Sequence, residues 1–307
     1  MAININPDQK TDVNTPAPQT QPTPASVQDK EEILTNEGLS QEEKKDPNRI
    51  RITISDRNAP LIMLFGPAGC GKTMTMVRLS RFLHSQGYQL VPDRVFRPSY
   101  DKIYKEICDQ FPTIVNSDDA AKSTDHISFM LLKVIKNGDT VCQILEGPGE
   151  LYFDPSRAEQ DWPTYVLTLL HDSSLRKIIV PFVEPSWEDD QTRRNYVSTI
   201  NQLKMSTDNQ KFIFLYNKID KTPFVRQQGV VNNKAAFHQV KGEYPGIFSN
   251  FVNNNPITRL WREYNFDFVP FQTGSFVSTA DGDRAFVEGS DKYPSQLWSS
   301  LLKAIRG

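Results

Sequence analysis

Leu61-Ile62-Met63-Leu64-Phe65-Gly66-Pro67-Ala68-Gly69-Cys70-Gly71-Lys72-Thr73 runs from five consecutive apolar residues into a glycine-rich turn. Beyond it Met76, Leu79, Phe82 and Leu83 recur at helical spacing, and Gly87 closes the segment. The pattern predicts a buried strand, a tight loop and a helix, in that order. A G-x-x-x-x-G-K-T loop in this setting turns its backbone N–H groups inward around phosphate oxygens. Lys72 adds a positive charge for the outer phosphates, and the Thr73 hydroxyl can ligate Mg²⁺. Candidate nucleotide contacts therefore run through Gly66, Pro67, Ala68, Gly69, Cys70, Gly71, Lys72, Thr73 and Met74.

Working outward, residues 1–48 carry six prolines among Gln, Thr, Asn and Glu, with few large apolar side chains, and read as a disordered Pro/Gln/Thr-rich tail. Residues 49–307 read as one domain, opened by a strand at Arg49 to Ser55. A helix is expected at Tyr100 to Phe111. Apolar strands at Ile127 to Ile135 and Thr140 to Leu145 flank Asn137-Gly138, a hairpin turn. Further expectations are a helix at Trp162 to Leu170, a strand at Lys177 to Val183, a helix at Gln191 to Met205 and a strand at Lys211 to Tyr216. Phe266 to Phe271 reads as the last strand, and Pro294 to Ile305 as a helix with Leu297, Leu301 and Ile305 on one face. Alternation of this kind predicts an α/β fold: a doubly wound, mostly parallel sheet with helices on both faces and ligands at the strands' carboxyl ends.

The strand Lys211 to Tyr216 ends in Asn217-Lys218-Ile219-Asp220. A carboxylate placed there accepts two N–H donors from the edge of guanine, a pair that adenine lacks. Asn217 would tie this loop to the phosphate loop, and the Lys218 stem would cover the base.

With both motifs in view, residues 59 to 305 resemble the P-loop GTPases of the Ras-like and translation-factor class. The resemblance implies GTP/GDP and Mg²⁺ as ligands. The family's D-x-x-G corresponds to Glu146-Gly147-Pro148-Gly149, with Glu146 in place of Asp as the Mg²⁺ ligand and Gly149 as donor to the terminal phosphate. The switch threonine is Thr124 or Thr113; Thr124, twenty-two residues before Glu146, is preferred as catalytic residue and metal ligand. Thr273-Gly274-Ser275 resembles the turn whose amide meets the guanine carbonyl. Within the family, G-P-A-G-C-G-K-T with L-E-G-P-G-E looks like the bacterial double-GTPase-like proteins.

Glu150 stands where the family has a water-orienting Gln or His, and its negative charge beside a phosphate implies slow hydrolysis. Ala68 narrows the route of an arginine finger. Arg94, Arg97 and Lys122 are candidate cations in cis, each read first as a solvated charge. His126, near the expected switch, reads as structural. Phe237, Phe248, Phe251 and Trp261 read as internal packing of an insertion between Lys221 and Tyr264. A non-hydrolysing guanine-nucleotide scaffold and an ATP-using phosphotransferase remain as other readings.

The net charge of −2 among 307 residues provides no global field for nucleic acid or anionic lipid, so none is expected as a partner. A protein effector or regulator is expected instead. The polar first residues, Ala2 and the absence of a run of about twenty apolar residues predict no signal peptide, lipid anchor or membrane span. Cys70, Cys108 and Cys142 lack metal spacing and fit a reducing cytoplasm.

Overall fold

The computed structural model describes residues 39–116, 129–185, 189–207, 210–278 and 284–307. Its centre is a seven-stranded, mostly parallel sheet in an α/β arrangement. The strands are β1 (Leu61–Phe65), β2 (Gln89–Pro92), β3 (Met130–Lys136), β4 (Asp139–Glu146), β5 (Lys177–Val183), β6 (Lys211–Tyr216) and β9 (Phe266–Pro270). They lie in the order β2-β3-β4-β1-β5-β6-β9. From β4 to β9 every neighbouring pair is parallel, while β2 and β3 run antiparallel at one edge.

The composition explains this layout. β1, Leu-Ile-Met-Leu-Phe, and β5, Lys-Ile-Ile-Val-Pro-Phe-Val, are buried along their whole length, as strands covered on both faces must be. The β3–β4 hairpin turns at Asn137 (φ 54°) and Gly138 (φ 90°), the left-handed pair that a two-residue turn requires. Register then aligns the strand ends: Leu64 pairs with Glu146, Phe65 with Pro181, and Tyr216 with Pro270. The segments that follow β1, β4, β5, β6 and β9 thus leave the sheet at one edge.

The helices are α1 (Gln41–Lys45), α2 (Lys72–Ser85), α3 (Lys102–Asn116), α4 (Gly149–Tyr152), α5 (Thr164–His171), α6 (Asp190–Met205), α7 (Asn233–Glu243), α8 (Pro256–Trp261) and α9 (Lys292–Arg306). Helix α9 buries Pro294, Leu297, Trp298, Leu301 and Ala304 as one stripe; Ile305 is half-buried at its margin.

Several expectations change. Residues 39–48, assigned to the tail, carry α1 and a 3-10 turn (Pro47–Arg49); Leu39 is buried, and a capping box joins Ser40 and Glu43. Arg49 to Ser55 forms no strand, although the Thr53 amide donates to Phe96 O at 2.8 Å. Helix α3 runs on to Asn116 through Pro112, which cannot donate a backbone bond. β9 is not the last strand: β10 (Gly274–Ser278) and β11 (Arg284–Glu288) form a hairpin after it, and β7 (Val225–Gln227) and β8 (Val230–Val231) form a small ribbon.

The insertion's aromatics divide. Phe248 and Phe251 are buried and Phe237 half-buried, all three packed around Phe266 with tilted or edge-on rings. Trp261 is 89% exposed, with Ile257 and Leu260 also exposed on α8. The expectation that Trp261 packs internally is therefore corrected: α8 turns its apolar residues outward. Among the described residues no helix is long and apolar enough to cross a membrane.

Candidate functional site

The loop between β1 and α2 gathers the groups expected of a phosphate cradle. Gly69 (φ 74°) and Gly71 (φ 89°) hold left-handed backbone that other residues rarely adopt. Gly71 leads into α2 with no side-chain cap, so the helix's first amides face the loop without a competing side-chain acceptor. Lys72 is buried and curls back, its Nζ donating to Gly66 O at 3.1 Å and Pro67 O at 2.9 Å. Those carbonyls hold the ammonium over the loop.

Thr73 donates its hydroxyl to Glu146 Oε1, so the two expected Mg²⁺ ligands lie side by side. Glu146 is 1% exposed and its Oε2 has no hydrogen-bond partner among the described residues. Burial raises its pKa to about 8, with Lys72 and the Thr73 hydroxyl pulling the other way. A buried carboxylate in that state is suited to a cation, which would supply both the missing partner and the missing charge. The residues present therefore fit Mg²⁺.

A pH dependence follows from this shift. Native Glu146 keeps its proton up to about pH 8, whereas the unfolded chain releases it near 4.5. The stability it contributes is full below the lower value and is lost as pH rises through the higher one. Thermal melting of the ligand-free chain should fall across this window, and Glu146→Gln should flatten the fall. Superimposable pH profiles would remove Glu146 as the source.

The turn after β4, Gly147-Pro148-Gly149, presses on the loop between β1 and α2. A Cβ on Gly149 would stand 2.2 Å from Ala68 N and 2.4 Å from Pro67 C, and one on Gly147 would stand 2.3 Å from the Tyr152 hydroxyl. Only glycine fits either place. Glu150, in the first turn of α4, is exposed and shares a cavity of about 470 Å³ with Pro67, Ala68, Gly69, Glu184 and Lys218.

The loop after β6 meets the same cradle. Asn217 donates Nδ2 to Cys70 O at 2.8 Å, and its own amide donates to Val183 O at 2.9 Å. Lys218, at φ 55°, donates to Gly69 O at 3.1 Å and to Glu184 Oε2 at 2.7 Å. A left-handed lysine whose ammonium is held by two acceptors is strain maintained by its surroundings. Asp220 is exposed in the 3-10 turn Ile219–Lys221, and the adjacent Ile219 amide donates to Phe271 O at 3.2 Å. Thr273-Gly274-Ser275, expected as a turn, is instead the entry to a strand: Gly274 and Ser275 begin β10. Cys70 is buried inside the loop, which pushes its thiol up to about 11 and leaves it unreactive.

Other candidates sit elsewhere. Thr124, Lys122 and His126 lie outside the described residues. Thr113 is exposed in the last turn of α3, on a helix and not on a loop. Arg94 is exposed and paired with Asp109. Arg97, read as solvated, is 2% exposed and held by Glu43 at 2.6 Å and Asp101 at 2.9 Å. Sequence reasoning missed Glu184, which anchors Lys218. Its position directly after β5, at the carboxyl edge, was the available signal. A groove of about 600 Å³ lined by Lys211, Phe266, Asp267 and Lys303 lies at the opposite end of the sheet and holds none of the motif residues.

No protein-family model and no curated protein matches the chain.

Proposed function

We propose that the protein binds guanine nucleotides with Mg²⁺ in this crevice, as a P-loop GTPase-like cytoplasmic switch that hydrolyses GTP slowly and acts through a protein partner. The observation that carries the reading is the 2.8 Å bond from Asn217 Nδ2 to Cys70 O, which joins the loop of base-selecting type to the loop of phosphate-binding type. In this reading Gly69 to Thr73 hold the phosphates, Lys72 faces the outer ones, Thr73 and Glu146 hold Mg²⁺, and Asp220 selects the purine. Gly149, in contact with the phosphate loop, is placed to respond to a terminal phosphate.

Slow turnover rests on Glu150 and Glu184, two carboxylates beside the phosphate loop with Lys218 already engaged by one of them. Titration of fluorescent GDP, GTP and ADP with and without Mg²⁺ tests the ligand. GDP and GTP should bind at least about a hundredfold tighter than ADP, because adenine would leave the Asp220 carboxylate, covered by the bound base, without its two N–H partners. Equal affinity for ADP would favour the phosphotransferase reading. Single-turnover phosphate release from bound GTP tests the chemistry, and release no faster than in buffer would make the protein a non-hydrolysing scaffold.

A further inference from the structure

Arg78 lies on α2, six residues beyond Lys72, and is 2% exposed. Its guanidinium reaches out of the phosphate-loop helix to the far end of the β10–β11 hairpin. Nη2 donates to Gly289 O at 3.0 Å and pairs with Asp291, and Nη1 lies 3.3 Å from Glu288 Oε2. Arg81, one turn along, takes the other Glu288 oxygen at 2.5 Å. A buried arginine is costly to place unless its partners are worth it, and here they are all on one distant segment.

What Gly289 does next matters most. Its amide donates to Thr273 O at 3.2 Å, while Gly274 is packed so closely that a Cβ there would stand 2.3 Å from Val287 O. Thr273 and the start of β10, Gly274-Ser275, are thus held by Gly289 and Val287, and Gly289 is held in turn by Arg78. One residue, Gly289, thus links α2 to Thr273 at the entry to β10.

We propose that Arg78 is a positioning residue for purine selection. By fixing Gly289, it sets the height of the Thr273-Gly274-Ser275 backbone above the phosphate loop, where an amide meets the six-oxo group of guanine. The inference rests on the guanine reading above and adds a residue that touches neither base nor phosphate. Asp220 reads the neighbouring N1–H and two-amino groups and is held through Ile219 and Phe271, without Gly289. Loss of Arg78 should consequently affect the six-oxo contact and spare the two-amino contact.

Two analogues are read together. The diphosphate of 2-aminopurine riboside lacks the six-oxo group and with it the N1–H, while inosine diphosphate lacks only the two-amino group. An unchanged inosine ratio therefore shows the Asp220 contact intact and leaves the six-oxo contact as the one altered. Arg78→Met should reduce the preference for GDP over the 2-aminopurine nucleotide about tenfold, the worth of one directed hydrogen bond. The preference for GDP over inosine diphosphate should stay within about twofold of wild type. Arg78→Lys, which keeps the charge but not the fork, should fall between and covers the case in which the methionine variant does not fold. Glu288→Gln weakens both ion pairs yet leaves the Gly289 bond, so it should lower the melting temperature without changing either preference.

A variant that loses both preferences equally, or neither, overturns the positioning role. A change in the six-oxo preference with Glu288→Gln equal to that with Arg78→Met would show a merely structural ion pair. A wild-type chain that binds GDP and ADP alike overturns the guanine reading itself, a result distinct from the others.

Discussion

Asp220→Asn should weaken GDP by at least about a hundredfold and make xanthosine diphosphate the better ligand. In the proposed site the carboxylate would accept from two N–H groups of guanine, whereas an amide has one acceptor and one donor and would face one of those N–H groups with its own. Leaving a polar group unpaired in a desolvated contact costs about 1–3 kcal/mol, and more when a charge is involved, which is the range of the expected loss. Xanthine has an oxygen where guanine has the amino group, so the amide N–H finds an acceptor. Asp220 is exposed and makes no hydrogen bond or ion pair among the described residues, so the ligand-free variant should melt within a degree or two of wild type, about 0.5 kcal/mol. Equilibrium titration with both diphosphates reads the outcome. Unchanged GDP binding would remove Asp220 from the site.

Gly149→Ala should damage the phosphate side to a similar degree by a different route. The added methyl would stand 2.2 Å from Ala68 N, 2.4 Å from Pro67 C and 2.7 Å from Ala68 Cα. These are backbone atoms, which cannot swing aside as a side chain can. Either the phosphate loop or the turn after β4 must move by about 1 Å to restore ordinary contact. Overpacking of this kind costs about 1–3 kcal/mol of stability, and a loop moved by that distance no longer aims its amides at the same oxygens. Affinity for GTP should drop about a hundredfold or more, and any advantage of GTP over GDP should disappear with it. A variant with normal affinity and a normal preference would show that the close approach has no functional consequence.

The fold was legible where one face or both faces of an element are buried over its length. β5 and β6 were read with their boundaries correct because Lys177 to Val183 and Lys211 to Tyr216 carry continuous apolar runs. Asn137-Gly138 fixed the hairpin through backbone geometry that few other pairs can adopt. Arg49 to Ser55 misled for the complementary reason. Ile50, Ile52 and Ile54 do face the core, but the backbone meets only an isolated acceptor at Phe96 and no neighbouring strand. Alternation reports burial, and it cannot report a partner. Gln89 to Pro92 shows little burial and was passed over, yet it pairs antiparallel with β3 at the sheet edge.

Motif residues were legible because each is set by local chemistry: glycine for a left-handed bend, asparagine or aspartate at the end of a buried strand. Residues that act across the structure were not. Glu184 and Lys218 are 34 positions apart, and Arg78 and Gly289 are 211 apart. Nothing in the spacing of either pair announces a contact. Arg97 shows the same limit, since a charge reads as solvated until Glu43 and Asp101 are folded around it. Trp261 fails in the other direction: an aromatic in a packed insertion was expected inside, and the short α8 carries it out.

The central claim is that one crevice grips a nucleotide at both ends, and a crystal structure of the chain grown with GDP and Mg²⁺ tests it most directly. The diphosphate should lie against the amides of Gly69 to Thr73, with the Asp220 carboxylate about 3 Å from the nitrogen edge of the guanine. Density for the diphosphate on that loop with the base turned away from Asp220, or density only at another place on the molecule, would contradict it.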